Sequence, residues 1–183
     1  MSHHRFTTQV SKEQILSLHT GEVVYLTGKI FTARDKAHQL ILNIPRKKIP
    51  TEIRGLPLYH CGPLVTRKEG HWQVISAGPT TSRRMESSET AVMQKLNVRL
   101  LIGKGGMGPA TAMALQRQPG IYLAYTGGAG VFAAEQITGV LDVLWLDELG
   151  MADAVWLLEV REFGPLVVAM DAHGASLYPR ETA

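Results

Sequence analysis

Apolar positions follow two periods along this chain. Residues 21–33 (GEVVYLTGKIFTA) alternate apolar with polar and include β-branched and aromatic side chains, which predicts a strand. Residues 11–18 (SKEQILSL) predict a short helix, with Ser11 as its cap and Glu13 and Gln14 in its first turn. Residues 34–44 (RDKAHQLILNI) take helical spacing until Pro45 stops them. From 46 to 71 the chain reads as loop-rich, with prolines at 50, 57 and 63 and a short strand around Leu58–Cys61.

The second half has a plainer rhythm. WQVISAG (72–78) is strand-like, and VRLLI (98–102) and IYLAY (121–125) are apolar runs, each of the three closed by a glycine-bearing turn. Helical patterns follow at 82–96, 109–118 and about 131–137, the second with Pro109 at a favoured first-turn position. VLWL (143–146), AVWLLEV (154–160) and LVVAM (166–170) read as three more strands. Strand, glycine turn and helix, repeated three times, predict βαβ units. The expectation is a single α/β domain over 1–183, of β/β/α layering, with a largely parallel sheet. Ligands would then sit where the turns leave the carboxyl ends of the strands.

Composition narrows the class. With 45% apolar and 19% charged residues, the chain reads as an ordinary soluble globular protein. No run approaches the roughly 18 apolar residues of a membrane span. The N-terminal MSHHRFTTQVSKEQ has no apolar core of a secretory signal, so a cytoplasmic location and no membrane partner are expected. The formal charge of +3 is small and scattered, unlike a nucleic-acid binder, but suits an anionic small substrate. Cys61 is the one cysteine. An iron–sulfur cubane takes about three or four cysteine ligands, so this chain alone cannot cage one. Cys61 itself reads as a small buried residue, and no metal ligands are assigned.

Gly103-Lys104-Gly105-Gly106-Met107-Gly108 fits G-x-G-x-x-G between a strand and a helix. A dinucleotide site also calls for an acid about 20 residues on, at the end of the next strand. That strand ends at Tyr125-Thr126-Gly127-Gly128, and the first acid beyond it is Glu135. A P-loop needs Ser or Thr after Gly-Lys, whereas Gly105 follows Lys104. What remains is a turn able to offer backbone N–H groups to an anion. A non-catalytic anion- or dinucleotide-binding module using this turn stands as the alternative to an enzyme.

The segments TGKIFTARD (27–35), GPTTSRRMES (78–87) and GKGGMG (103–108) appear in that order, followed by ELGM (148–151) and EFGPL (162–166). Together they resemble the β subunit of the iron–sulfur-dependent fumarate hydratase / L-tartrate dehydratase family, and the C-terminal domain of its single-chain members. The resemblance runs from about residue 8 to about 178. It implies a swivelling β/β/α domain of a hydro-lyase acting on a four-carbon dicarboxylate, as fumarate/malate or L-tartrate/oxaloacetate. It further implies a [4Fe–4S] cluster ligated by a partner α subunit, a hetero-oligomer such as α2β2, and no activity for this chain alone.

Carried onto this sequence, the resemblance makes Arg34 and Arg84 carboxylate binders, a task suited to the two-pronged guanidinium. Thr81 and Gly105 join them as substrate contacts. Lys104 would stabilise charge building on the carboxylate as a neighbouring proton leaves. Thr80 would assist proton transfer, and the plain alternative is that Thr80 or Thr81 caps a helix. Arg83 reads as solvated, and His38 and His173 receive no role.

Overall fold

The computed structural model describes residues 2–179 of the chain; Met1 and 180–183, included in the expected domain, lie outside the described residues. Nine strands and six α-helices are present among the described residues. The strands are β1 (His3–Thr7), β2 (Val23–Thr32), β3 (Leu58–Tyr59), β4 (Leu64–Lys68), β5 (His71–Ser76), β6 (Leu100–Gly103), β7 (Ile121–Ala124), β8 (Ile137–Leu144) and β9 (Val155–Met170). The helices are α1 (Lys12–Leu16), α2 (Asp35–Asn43), α3 (Glu86–Leu96), α4 (Pro109–Arg117), α5 (Gly130–Glu135) and α6 (Leu146–Leu149). No helix among the described residues is long and apolar enough to cross a membrane.

Local chemistry sets several of these elements. Ser11 and Gln14 form a reciprocal capping box at α1. Pro109 opens α4 where its missing N–H costs nothing. Asn97 ends α3 in the left-handed conformation that asparagine tolerates. Lys95 donates to the carbonyls of Leu42 and Ile44 at the end of α2 and so ties α3 to α2.

Seven strands form one sheet in the order β1-β2-β3-β6-β7-β9-β8, and β4 and β5 form a separate hairpin. The expectation of a largely parallel sheet is corrected. The pairings β1–β2, β2–β3, β3–β6 and β6–β7 are parallel, but β7–β9, β8–β9 and β2–β9 are antiparallel. The cause is β9. The segments 154–160 and 166–170, expected as two strands, are one strand that runs through Glu162 and a cis Gly164–Pro165 bond. It pairs with β2 from Val167 to Leu157, with bulges along the β2 ladder. That pairing closes β2, β3, β6, β7 and β9 into a ring. VLWL (143–146), expected as a strand, is the end of β8 and the start of α6.

Both faces of the sheet are covered, which explains the unbroken apolar runs of β6 and β7. Leu100, Ile102, Ile121 and Leu123 face one core with Leu26, Trp156, Leu158 and Phe163, together with Ile15 from α1 and Ala133 from α5. Leu101 and Tyr122 face the other core, which α2, α3 and α4 fill with Ile41, Val92, Met93, Leu96 and Leu115. The turns after β2, β5 and β6 thus rest on packed elements.

Candidate functional site

Arg34 is the residue at which β2 passes into α2, with extended backbone at the cap position. Its guanidinium Nε lies 3.5 Å from Asp35 Oδ2 and 3.3 Å from Asp153 Oδ1. Its side chain crosses Gly62, where a Cβ would stand 2.7 Å from Arg34 Nη1 and 2.5 Å from the Ala152 carbonyl oxygen. Arg84 lies in a 3-10 turn, Ser82–Met85, that leads into α3. Its Nη2 donates to Asp35 Oδ2 at 2.7 Å. The structure therefore brings Arg34 and Arg84 together on one carboxylate, from positions 50 residues apart in number. Arg84 is about half exposed, so its charge remains open to a ligand.

The Thr80–Thr81 turn lies beside the GKGGMG turn. The Thr80 N–H donates to the His60 carbonyl at 2.7 Å, Thr81 pairs in parallel with Lys104, and the Ser82 N–H donates to the Lys104 carbonyl at 2.9 Å. Gly105, at φ +78°, has the Thr81 methyl 3.7 Å from where a Cβ would stand. Lys104 is half-buried, and its stem passes the Gly127 turn, 3.9 Å from a Cβ built there. Thr81 occupies the cap position of the 3-10 turn without a capping side-chain bond, and Met85 is the cap of α3. The Thr81 side chain thus makes no capping bond there.

The expected anion site at the N-terminus of α4 is occupied from within. Glu86 accepts from the Gly108 N–H at 2.6 Å, the Thr111 N–H at 3.1 Å and the Thr111 hydroxyl at 2.8 Å. A Cβ on Gly103 would overlap the Ser82 hydroxyl oxygen, and one on Gly106 would stand 2.6 Å from the Tyr178 ring. The glycines of this turn serve close packing between elements, and Glu86 already takes up the Gly108 and Thr111 N–H groups that a pyrophosphate would use. These contacts weigh against the dinucleotide alternative. Arg83 is exposed and lines a separate cavity of about 420 Å³ with Met107, Met170 and Tyr178. None of the six candidate residues lines that cavity.

Sequence reasoning missed the layer beneath the turns. His38, His60 and Glu89 are fully buried and meet there. His60 Nε2 lies 2.9 Å from Glu89 Oε2, a close contact without the alignment of a hydrogen bond. Burial pushes the Glu89 carboxyl up, but His60 and then His38 more than offset this, and it sits below its ordinary range. Burial pulls the His38 imidazole down to about 4, against an opposing pull from Glu89. One signal for Glu89 was present: it shares the 89, 92, 93, 96 face of α3 with Val92, Met93 and Leu96.

His38 gives a pH expectation. The unfolded chain protonates it near its ordinary value of about 6.5, and the folded chain only near 4. Between those values the unfolded state binds more protons, so stability falls as pH falls. The loss from this group is about 3 kcal/mol, complete near pH 4. Urea midpoints measured from pH 7 to pH 4 should drop accordingly, and His38→Gln should flatten the decline. An unchanged slope in that variant would refute the assignment.

Comparison with known proteins gives the family. The family described as Fumarase C-terminus matches residues 3–181. The L(+)-tartrate dehydratase subunit beta of Escherichia coli (strain K12) is 39% identical over 171 residues, covering 93% of this chain and 84% of that protein. A putative L(+)-tartrate dehydratase subunit beta of Methanocaldococcus jannaschii is 41% identical over 172 residues, covering 93% of this chain and 88% of the relative. A putative fumarate hydratase class I of Geobacillus stearothermophilus is 41% identical over 170 residues, which is 92% of this chain but 32% of that longer protein.

Proposed function

The chain belongs to the fumarase C-terminus family, and from that membership we propose that it is the β subunit of a two-subunit hydro-lyase acting on a four-carbon dicarboxylate. Relatives named for tartrate and for fumarate both match it, so the substrate class is the shared one: two carboxylates on a two-carbon core that gains or loses water. The observation that carries the reading is the meeting of Arg34 and Arg84 on Asp35, from the turns that open α2 and α3. Two guanidiniums held this way suit an incoming carboxylate, which each can grip through paired N–H donors.

In this reading Arg34 and Arg84 bind and orient one substrate carboxylate. Lys104, fixed beside Thr81, supports the charge that develops as a proton leaves the neighbouring carbon. The Thr80 hydroxyl assists that proton transfer, with Thr81 and the Gly105 backbone lining the substrate. A threonine hydroxyl needs activation for such a role, and Lys104, paired with the next residue, Thr81, is the candidate for it.

The iron–sulfur cluster implied by the family does not fit this chain. A cubane takes about three or four thiolates. The chain has only Cys61, which is fully buried, with its thiol pushed well up by that burial. In this reading a partner α subunit holds the cluster, in a hetero-oligomer of which α2β2 is the simplest form. The β domain, of β/β/α layering over 1–183, swivels to close on it in the cytoplasm.

Anaerobic coexpression with the adjacent α subunit tests the reading. The purified complex should hydrate fumarate or dehydrate L-tartrate and lose activity in air, and this chain alone should do neither. Turnover by the isolated chain, or none of either substrate by an iron-loaded complex, would refute it.

A further inference from the structure

We propose that the buried His38–His60–Glu89 cluster, with Ser82, is a positioning unit that sets the Thr80–Arg84 turn against Arg34 and Lys104. This rests on the catalytic reading of those turns and assigns residues the resemblance did not. Each member joins a different part of the site. His60, next to β3, holds the turn twice: its carbonyl accepts from the Thr80 N–H at 2.7 Å, and its Nδ1 meets the Ser82 hydroxyl at 2.8 Å. Thr81 is thereby bracketed between two fixed points. Tyr122 of β7 donates to the same Ser82 oxygen at 2.9 Å, and Gly103, one residue before Lys104, packs directly against it.

The other two members tie in the arginines. Glu89 is on α3, five residues after Arg84, and contacts the His60 ring. His38 is one helical turn after Arg34, whose carbonyl accepts its N–H at 2.9 Å. Its Nδ1 meets the Ser88 hydroxyl of α3 at 3.1 Å. The elements bearing Arg34, Arg84, the two threonines and Lys104 therefore meet through one buried polar contact set. A buried carboxylate contributes little net stability compared with apolar packing, so its use here is better explained by the geometry it fixes.

A metal centre is the competing reading, since ligand atoms of His38, His60 and Glu89 lie within 4.8 Å of one another. The spacing argues against it. Two ligands on a tetrahedral zinc with bonds near 2.0–2.1 Å stand about 3.3 Å apart. His60 Nε2 and Glu89 Oε2 are already at 2.9 Å.

The test uses Ser82→Ala and Glu89→Gln in the full chain, read by amide hydrogen exchange and, in the assembled enzyme, by kinetics. Ser82→Ala should lower protection of the Thr80 and Ser82 amides at least tenfold while the β6, β7 and β9 amides keep theirs. Turnover in the complex should fall about tenfold or more, with a rise in KM for the dicarboxylate and a fall in melting temperature of no more than about 10 °C, the cost of leaving the His60 and Tyr122 groups unpaired. Glu89→Gln should act in the same direction, and His60→Gln should not restore it. Unchanged protection of the turn, or a uniform loss through the sheet, would overturn the proposal. So would stoichiometric zinc in the purified chain. If the wild-type complex has no hydro-lyase activity, the functional reading fails, while the exchange result still decides whether the cluster positions the turn.

Discussion

Replacing Arg84 by alanine should lower kcat/KM of the assembled enzyme by about a thousandfold or more. Losing one partner of a charge-assisted carboxylate grip costs several kcal/mol, and about 4 kcal/mol corresponds to that factor. The same change should leave folding nearly untouched. Arg84 is about half exposed, and its partner Asp35 keeps Arg34 beside it. Ion pairs of this exposure contribute about 0–1 kcal/mol to stability. Arg84→Lys should recover part of the loss, since it restores charge without the two-pronged geometry. Steady-state kinetics on both substrates, beside a melting curve, checks this. A folded Arg84→Ala complex with near-normal kcat/KM would remove Arg84 from the site.

Trp156→Ala should have the largest effect on stability. Trp156 is fully buried in β9, its ring meets Trp72 edge-on at 5.2 Å, and its Nε1 donates to the Met151 carbonyl at 2.9 Å. Truncating such a side chain costs about 3–5 kcal/mol. At roughly 2–4 °C per kcal/mol for a chain of this size, the melting temperature should fall by about 6–20 °C. A second consequence is local. The Met151 carbonyl anchors the segment that carries Asp153, the other acid beside Arg34. Scanning calorimetry reads the first effect, and a shift below about 3 °C would contradict the packing account.

Much of the second half was legible in the sequence, because glycine turns and apolar runs are local signals. β6 with α4, and β7 with α5, fall close to the expected spans. What misled were non-local effects. β1 reads HHRFT, mostly polar, and forms only because β2 offers it an edge. β4 has four exposed residues of five, so its pattern gave little sign of a strand. β9 looked like two strands because Glu162, Gly164 and Pro165 interrupt its apolar run, while its pairing with β2 carries it across. Its antiparallel pairings with β2, β7 and β8 make the sheet mixed, and strand direction leaves no trace in local periodicity.

The site divides in a similar way. Arg34, Arg84, Lys104 and the threonines were found through motif resemblance, and the structure places them on neighbouring turns. Asp35 was visible as a neighbour of Arg34, but its contact with Arg84 spans 49 residues and could not be read from spacing. Glu86 and His60 carried no pattern of their own. Their roles arise only once α4 meets the turn before α3, and β3 meets the turn after β5.

The closed ring of strands bears on how this chain survives before it meets a second subunit. Unpaired strand edges recruit other chains, and apolar ones seed aggregates. Here β6, β7 and β9 have neighbours on both sides, and the outer strands of the sheet are β1 and β8. β1 presents two histidines and an arginine, and β8 carries Asp142 and a glycine. The apolar strands β6, β7 and β9 are thus not offered as templates.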